Sequence, residues 1–312
     1  MMTNDLHEPL SDEQVAFFQK EGYLGPFPAY SEREIDDIWR RARLKTFDHS
    51  KSVFGKAENT KDPISSYDRH LDIDELADHV CHPAIVSKLQ RLIGRDVACW
   101  RSEFFPKYPG DEGTDWHQGD TFAGLNGGKD ALRWPEGSQE GGTVTVWTAL
   151  SDVTLDMGPM GIIPGTQHSR FYDESKAASY SQDKHGLVKN GVARGFYGYD
   201  YRELQVDPNW TPDESKAIYF TMKKGEFIIF WSTLLHGSLP HLGETSTPRL
   251  GYVSRYVPTS VKVYPDADTL TEFGRTVTLE QYGTVIAGGE DAFGHNRVRS
   301  CTTRGKPFNR IA

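Results

Sequence analysis

A chain of 312 residues with 37% apolar and 12% aromatic residues has enough hydrophobic mass for one large core. Its net charge of -9 and pI near 5.7 exclude a general cationic footprint, so neither a nucleic-acid nor a membrane partner is expected. No stretch approaches the roughly 20 apolar residues of a membrane span, and Met1 to Leu10 is polar and acidic, unlike a signal sequence. Cys81, Cys99 and Cys301 lack C-x-x-C spacing, which argues against a disulfide framework or a thiolate metal site. The expectation is a soluble cytoplasmic protein with reduced thiols.

The first 95 residues read as a mostly helical flank. Ser11-Asp12-Glu13-Gln14 and Ser31-Glu32-Arg33-Glu34 fit the capping box, and each precedes an apolar run, Val15, Phe17 and Phe18 in one, Ile35, Ile38 and Trp39 in the other. A third helix is predicted from Pro83 to a stop at Gly94. After Asp96 the pattern changes to short strands between Gly and Pro turns, as in an all-β sandwich or barrel. Candidate strands are Val97–Phe105, Thr143–Leu150, Glu226–Ser232 and Arg249–Val257. Alternation puts Thr143, Thr145 and Trp147 on one face and Val144, Val146 and Thr148 on the other. It also aligns Arg249, Gly251, Val253 and Arg255, and two guanidiniums on one face call for anions. A polar segment, 169–221, is longer than ordinary loops and is expected to carry a lid. The tail after Tyr264, with a short helix expected near Leu279 to Tyr282, reads as an appendage. The organisation expected is a single domain over 1–312, with flank 1–95, barrel 96–264 and appendage 265–312.

The segment Thr114-Asp115-Trp116-His117-Gln118-Gly119-Asp120 carries the chemistry. Non-heme Fe(II) oxygenases hold their metal with two histidines and one carboxylate, the first pair commonly His-x-Asp on one strand. Here glycine stands where the carboxylate belongs. Glycine cannot ligate, so Gly119 leaves an open metal position that suits a small anion such as chloride. The second histidine is expected after the hydrophobic strand, at His236. His241, in what reads as a turn, ranks lower, and any single histidine among 11 is more often a hydrogen-bonded or exposed one. Asp120 faces opposite His117 in an extended strand and is read as a surface or turn residue. Ile163-Pro164-Gly165-Thr166 reads as a tight turn, and His168 receives no metal role. The basic run Arg40 to Lys45 suits an acidic partner, and a solvated helix face explains it equally well.

The order His117-x-Gly119, His236-Gly237-Ser238, Arg249 and Ser254-Arg255-Tyr256-Val257-Pro258, with Ile163-Pro164-Gly165-Thr166, resembles the phytanoyl-CoA dioxygenase superfamily of Fe(II)/2-oxoglutarate enzymes. Within it the chain is most similar to the aliphatic, syringomycin halogenase-like enzymes of nonribosomal peptide biosynthesis, along nearly its whole length. The resemblance implies a double-stranded β-helix (jelly roll, cupin-like) barrel, mainly β with flanking helices. It implies Fe(II), 2-oxoglutarate, chloride and dioxygen, and an amino acid held as a thioester on a carrier protein. Carried over, His117 and His236 would ligate iron, and Gly119 would replace the family's alanine. Arg249, with Thr114 and Trp147, would hold the far carboxylate of 2-oxoglutarate. Arg255, Thr145, Ser232 and Phe122 would surround the chloride. One departure is that the family's asparagine near the halide falls on Gly124. The alternatives are a hydroxylase of the same fold, completed by water or Asp120, and a non-catalytic binding barrel.

Overall fold

The computed structural model describes residues 8–54, 63–138, 142–181, 187–189 and 192–312. Part of the expected lid and most of Met1 to Leu10 lie outside these residues. Helix α1 spans Asp12–Glu21 and α2 Glu32–Lys45, each with its reciprocal capping box formed at Ser11/Gln14 and Ser31/Glu34. Helix α1 stops at Gly22, whose φ of 86° is left-handed. Two further helices follow, α3 (Asp74–Val80) and α4 (Pro83–Ile93), the latter opened by its proline and closed at Gly94.

Twelve strands build two sheets. In chain order they are β1 (Tyr23–Pro28), β2 (Val97–Lys107), β3 (Gly113–His117), β4 (Val144–Ala149), β5 (Met160–Ile162) and β6 (Leu187–Lys189). Then come β7 (Val192–Gly195), β8 (Ile218–Tyr219), β9 (Glu226–Trp231), β10 (His236–Ser238), β11 (Arg249–Pro258) and β12 (Val285–Gly288). The major sheet has the order β1-β9-β4-β11-β2-β12 and the minor sheet β6-β7-β3-β10-β5-β8. Pairing is antiparallel except between β3 and β7. The result is the expected mainly β jelly roll, as two six-stranded sheets that do not join into one closed hydrogen-bonded barrel.

Alternation sorts the residues of the major sheet as period two requires. Phe227, Ile229, Val144 and Val146 pack outward against Ile85, Val86 and Leu89 of α4. Ile228, Phe230, Trp147 and Val253 pack inward, with Met160 and Ile162 of the minor sheet. The inner face carries the polar residues discussed below.

The N-terminal flank also contributes a strand, since β1 pairs with β9 and supplies one edge of the major sheet. Two expectations for the tail are corrected. The tail is not merely an appendage, because β12 pairs with β2 at the other edge and the hairpin Thr269–Glu272/Arg275–Thr278 reaches the interior. These two strands cover the open sides of β9 and β2 and are themselves the edge strands of the major sheet. The helix expected at Leu279 to Tyr282 is a single turn, Tyr282 N–H donating to Leu279 O at 3.1 Å, held by burial of both apolar side chains. Cys81 and Cys99 are buried free thiols and Cys301 is partly exposed. No helix among the described residues is long and apolar enough to cross a membrane.

Two histidines unconnected with the inner face lock the flank to the sheet. His79 meets the Tyr30 hydroxyl at 3.0 Å and the Thr148 hydroxyl at 3.2 Å, and His70 meets Ser102 at 2.7 Å. Burial lowers both pKa values to about 3. These imidazoles stay neutral in the fold and take up protons when unfolded, so the stability they contribute is present above pH 6.5 and is lost as pH falls toward 3. From pH 7.5 to 5, each should lower stability by roughly 2 kcal/mol. Chemical denaturation of the protein at the two pH values tests this, and a midpoint unchanged by acid would refute it.

Candidate active site

The inner faces of the two sheets meet around a cleft with two lobes, which share His117, His236, Thr114, Thr145, Phe105, Tyr197 and Arg255. Strands β3 and β10 make the junction. Their register puts His117 directly opposite His236, and a shift before Ser238 pairs that residue with Thr114. The two imidazole rings lie 4.0 Å apart, centre to centre.

Each ring is oriented by the backbone carbonyl two residues before it. His117 Nδ1 lies 2.7 Å from Asp115 O, and His236 Nδ1 lies 2.7 Å from Leu234 O. A carbonyl can only accept, so Nδ1 carries the proton in both rings and the Nε2 lone pair is left free, the tautomer a metal ligand needs. Burial, helped for His117 by the neighbouring His236, lowers both pKa values, to about 4 for His236. Both rings are therefore neutral and competent to ligate at pH 7. Among the described residues no group of three His, Cys, Asp or Glu side chains is placed to hold a metal. The two histidines thus fit an iron ion only with the rest of its coordination supplied by small ligands.

Gly119 follows β3 in a constrained turn. Its N–H donates to Ser232 O at 2.8 Å, and the Ser232 hydroxyl donates back to Gly119 O at 2.5 Å. A Cβ added at Gly119 would stand 3.0 Å from the ring of Phe122. Phe122 itself has a φ of 60°, and its N–H and that of Thr121 both donate to the half-buried Glu174 carboxylate, at 2.9 and 2.7 Å. Asp120 points away and pairs with Arg170 at 3.2 Å. At Gly124 a Cβ would meet Leu204 at 2.9 Å, so this position is apolar packing.

The smaller lobe ends at Arg249. Its guanidinium donates to Gly158 O at 2.7 Å and Phe105 O at 3.0 Å, lies 5.4 Å from the Trp147 ring centre, and is 3% exposed. Among the described residues no carboxylate comes within ion-pair distance, and its Nε is buried without a partner. Burial lowers its pKa to about 10. A buried cation without a counter-charge is costly, and a carboxylate entering beside Thr114 and Trp147 would remove that cost. The donor set therefore fits the far end of 2-oxoglutarate.

The larger lobe holds Arg255, which is ion-paired through Nη1 with Glu103 Oε1 and lies 5.3 Å from the Phe122 ring centre. Thr145 is its cross-strand neighbour. Ser232 also lines this lobe, but its proton is committed to Gly119 O, so it shapes the turn and is not a free donor to an anion. Sequence reasoning missed Glu103, Arg101, Tyr67 and Glu272 in this wall, and the lid residues Phe196, Tyr197 and Tyr201. Phe196 packs on His117 with ring centres 4.5 Å apart. Alternation along β2 puts Arg101, Glu103 and Phe105 on one face and was the available signal; nothing local announces Glu272. His241 accepts from Gly243 N–H at 3.1 Å and meets Thr247 O, which fixes it in a turn. Of the basic run on α2, Arg40 pairs with Asp37, and Arg41 and Lys45 with Glu75.

A jelly roll that sets two neutral histidines across from each other, beside a buried unpaired arginine, defines a mononuclear iron oxygenase of the 2-oxoglutarate type. The model for phytanoyl-CoA dioxygenase (PhyH) matches residues 18–249, and the chain belongs to that family. It uses Fe(II), 2-oxoglutarate and dioxygen. Two solved structures of CytC3 are similar: one with Fe(II) and alpha-ketoglutarate, 37% identical over 97% of this chain and 98% of that one with a TM-score of 0.74, and another at 41% over 97% of each with 0.75. EctD from S. alaskensis, 17% identical with a TM-score of 0.57 over 96% of this chain and 90% of that one, shares the fold. No curated protein is similar enough to match.

Gly251 shows how tightly the co-substrate lobe is packed, since a Cβ there would fall 2.2 Å from Trp147 Cζ2. Gly251→Ala should push the indole into the lobe, lower stability by about 1–3 kcal/mol and weaken 2-oxoglutarate binding at least tenfold. Denaturation and titration of the co-substrate check the two effects, and wild-type values for both would mean that the lobe tolerates the methyl.

Proposed function

We propose that the protein is a halogenase that chlorinates an unactivated aliphatic carbon of an amino acid tethered as a thioester to a carrier protein. The observation that carries this reading is the absence of a third protein ligand. Glycine stands at the carboxylate position, and the described residues offer no substitute. Asp120, the nearest candidate, is engaged with Arg170.

In this reading His117 and His236 hold the iron, and chloride takes the position beside Gly119. Arg249, Thr114 and Trp147 bind 2-oxoglutarate. Arg255 and Thr145 supply positive charge and a hydroxyl near the halide, with Phe122 as an apolar wall. Iron held by His117 and His236, with its co-substrates, would supply the oxidant for hydrogen-atom removal and the chlorine delivered to the carbon. The chain's own task is positioning, because the substrate carbon must be held nearer chlorine than oxygen, and small displacements change rates by orders of magnitude. Phe196, Tyr197 and Tyr201 line the cleft beside the two histidines. No general base is required.

The test is an anaerobic titration of chloride into protein with Fe(II) and 2-oxoglutarate, followed by the visible charge-transfer band. Saturable dependence on chloride is expected. A full band without halide would instead support the hydroxylase reading, with water completing the site. His117→Ala and His236→Ala should each weaken iron binding beyond the roughly 10–100-fold typical of losing an outer-shell partner. Gly119→Asp should abolish chlorination, since a carboxylate takes the halide position and its Cβ crowds Phe122; chlorinated product from that variant would sink the proposal.

A further inference from the structure

The wall of the larger lobe holds a charged quartet that the proposed chemistry does not use in full. Arg101 on β2 is 3% exposed and Glu272, from the hairpin after Tyr264, is 4% exposed, so both charges lie in the interior. Arg101 Nη1 donates to Glu272 Oε2 at 3.2 Å and lies 3.8 Å from Glu103 Oε1. Two carboxylates therefore converge on one guanidinium nitrogen. Arg101 Nη2 donates to the Tyr264 hydroxyl at 2.5 Å, and the Tyr67 hydroxyl donates to Glu272 Oε1 at 2.8 Å. Glu103 reaches Arg255 through the same Oε1 that faces Arg101. Arg101, Arg255, Glu103 and Glu272 all border the cleft.

With two arginines and two glutamates this wall is neutral when no ligand is present. Glu103 already occupies the Arg255 guanidinium that the halide would approach. Buried charges are unfavourable unless paired. One cation near the two glutamates draws Glu103 away from Arg255, which leaves that arginine to the halide. Burial raises the Glu272 pKa, against the lowering effect of Arg101, so this carboxylate gains from a further positive neighbour.

Resting on the halogenase reading above, we propose that Glu103 and Glu272 form the subsite for the α-ammonium group of the tethered amino acid. Its occupation promotes chloride binding in the metal position beside Gly119, with Arg255 freed to face the halide. The pocket thereby selects aminoacyl over simple acyl groups and couples halide loading to the presence of substrate.

The experiment compares two non-hydrolysable probes, the pantetheine amides of valine and of isovalerate, which differ only in the α-amino group. Their affinities for the protein loaded with Fe(II) and 2-oxoglutarate are measured, together with the chloride affinity in the presence of each. The valyl probe is expected to bind roughly tenfold tighter and to tighten chloride by a similar factor, whereas the isovaleryl probe leaves chloride unchanged; couplings of 5- to 150-fold are usual. In Glu272→Gln the valyl affinity should fall to that of the isovaleryl probe. Equal affinity of the two probes for the wild-type protein, or binding of neither, overturns the subsite, and this comparison does not require the variant to fold. Chloride dependence without any probe tests the halogenase reading separately, so a protein that needs chloride but ignores the amino group refutes this inference alone.

Discussion

The site depends on one cross-strand pair, His117 against His236. Strands β3 and β10 are short, and their register brings together two side chains from distant parts of the chain. Each imidazole is held by the backbone carbonyl two residues before it, so the fold itself sets tautomer and orientation. Burial then keeps both rings neutral. Other parts of the cleft are arranged about this pair: Gly119 two residues beyond His117, Phe196 packed edge-on against its ring, and the two lobes diverging from the junction.

Charge in the two lobes is handled differently, and the difference assigns them different ligands. Arg249 has backbone carbonyls and an indole face but no counter-ion among the described residues. Such a cation is incomplete without an anion. Arg255 is already paired with Glu103, and Arg101 with Glu272. A charged ligand that enters there has to exchange with an existing ion pair. The minor sheet adds the covering side through Tyr201, Tyr172 and Trp116, a cluster that packs the segment after Ser169 onto β3.

Much of the architecture follows local rules that can be read along the chain. The capping boxes at Ser11 and Ser31, the Pro83 start and Gly94 stop, and the left-handed turn at Gly165 each depend on a few adjacent residues. The faces of β4 and β11 follow from period two, so Trp147, Thr145, Arg249 and Arg255 are identifiable as partners in one lining. The short strands β3 and β10 are harder, because a few residues carry little periodic signal and their pairing depends on a long-range register. The edges were misjudged for the same reason: Tyr23–Pro28 and Val285–Gly288 are strands only because β9 and β2 have open sides to pair with.

The sequence by itself determined the class of fold, the two histidines, the missing carboxylate and the arginine face, since each depends on residue type and local spacing. Tertiary structure decided which charges meet. Glu103 and Glu272 are far apart in the chain, and they share Arg101 only because the hairpin after Tyr264 folds back over β2. It also decided that Ser232 spends its proton on Gly119 and that Asp120 turns to Arg170. Hydrogen bonds and ion pairs act over a few ångströms, so their partners are set by packing between distant segments, which local periodicity does not encode.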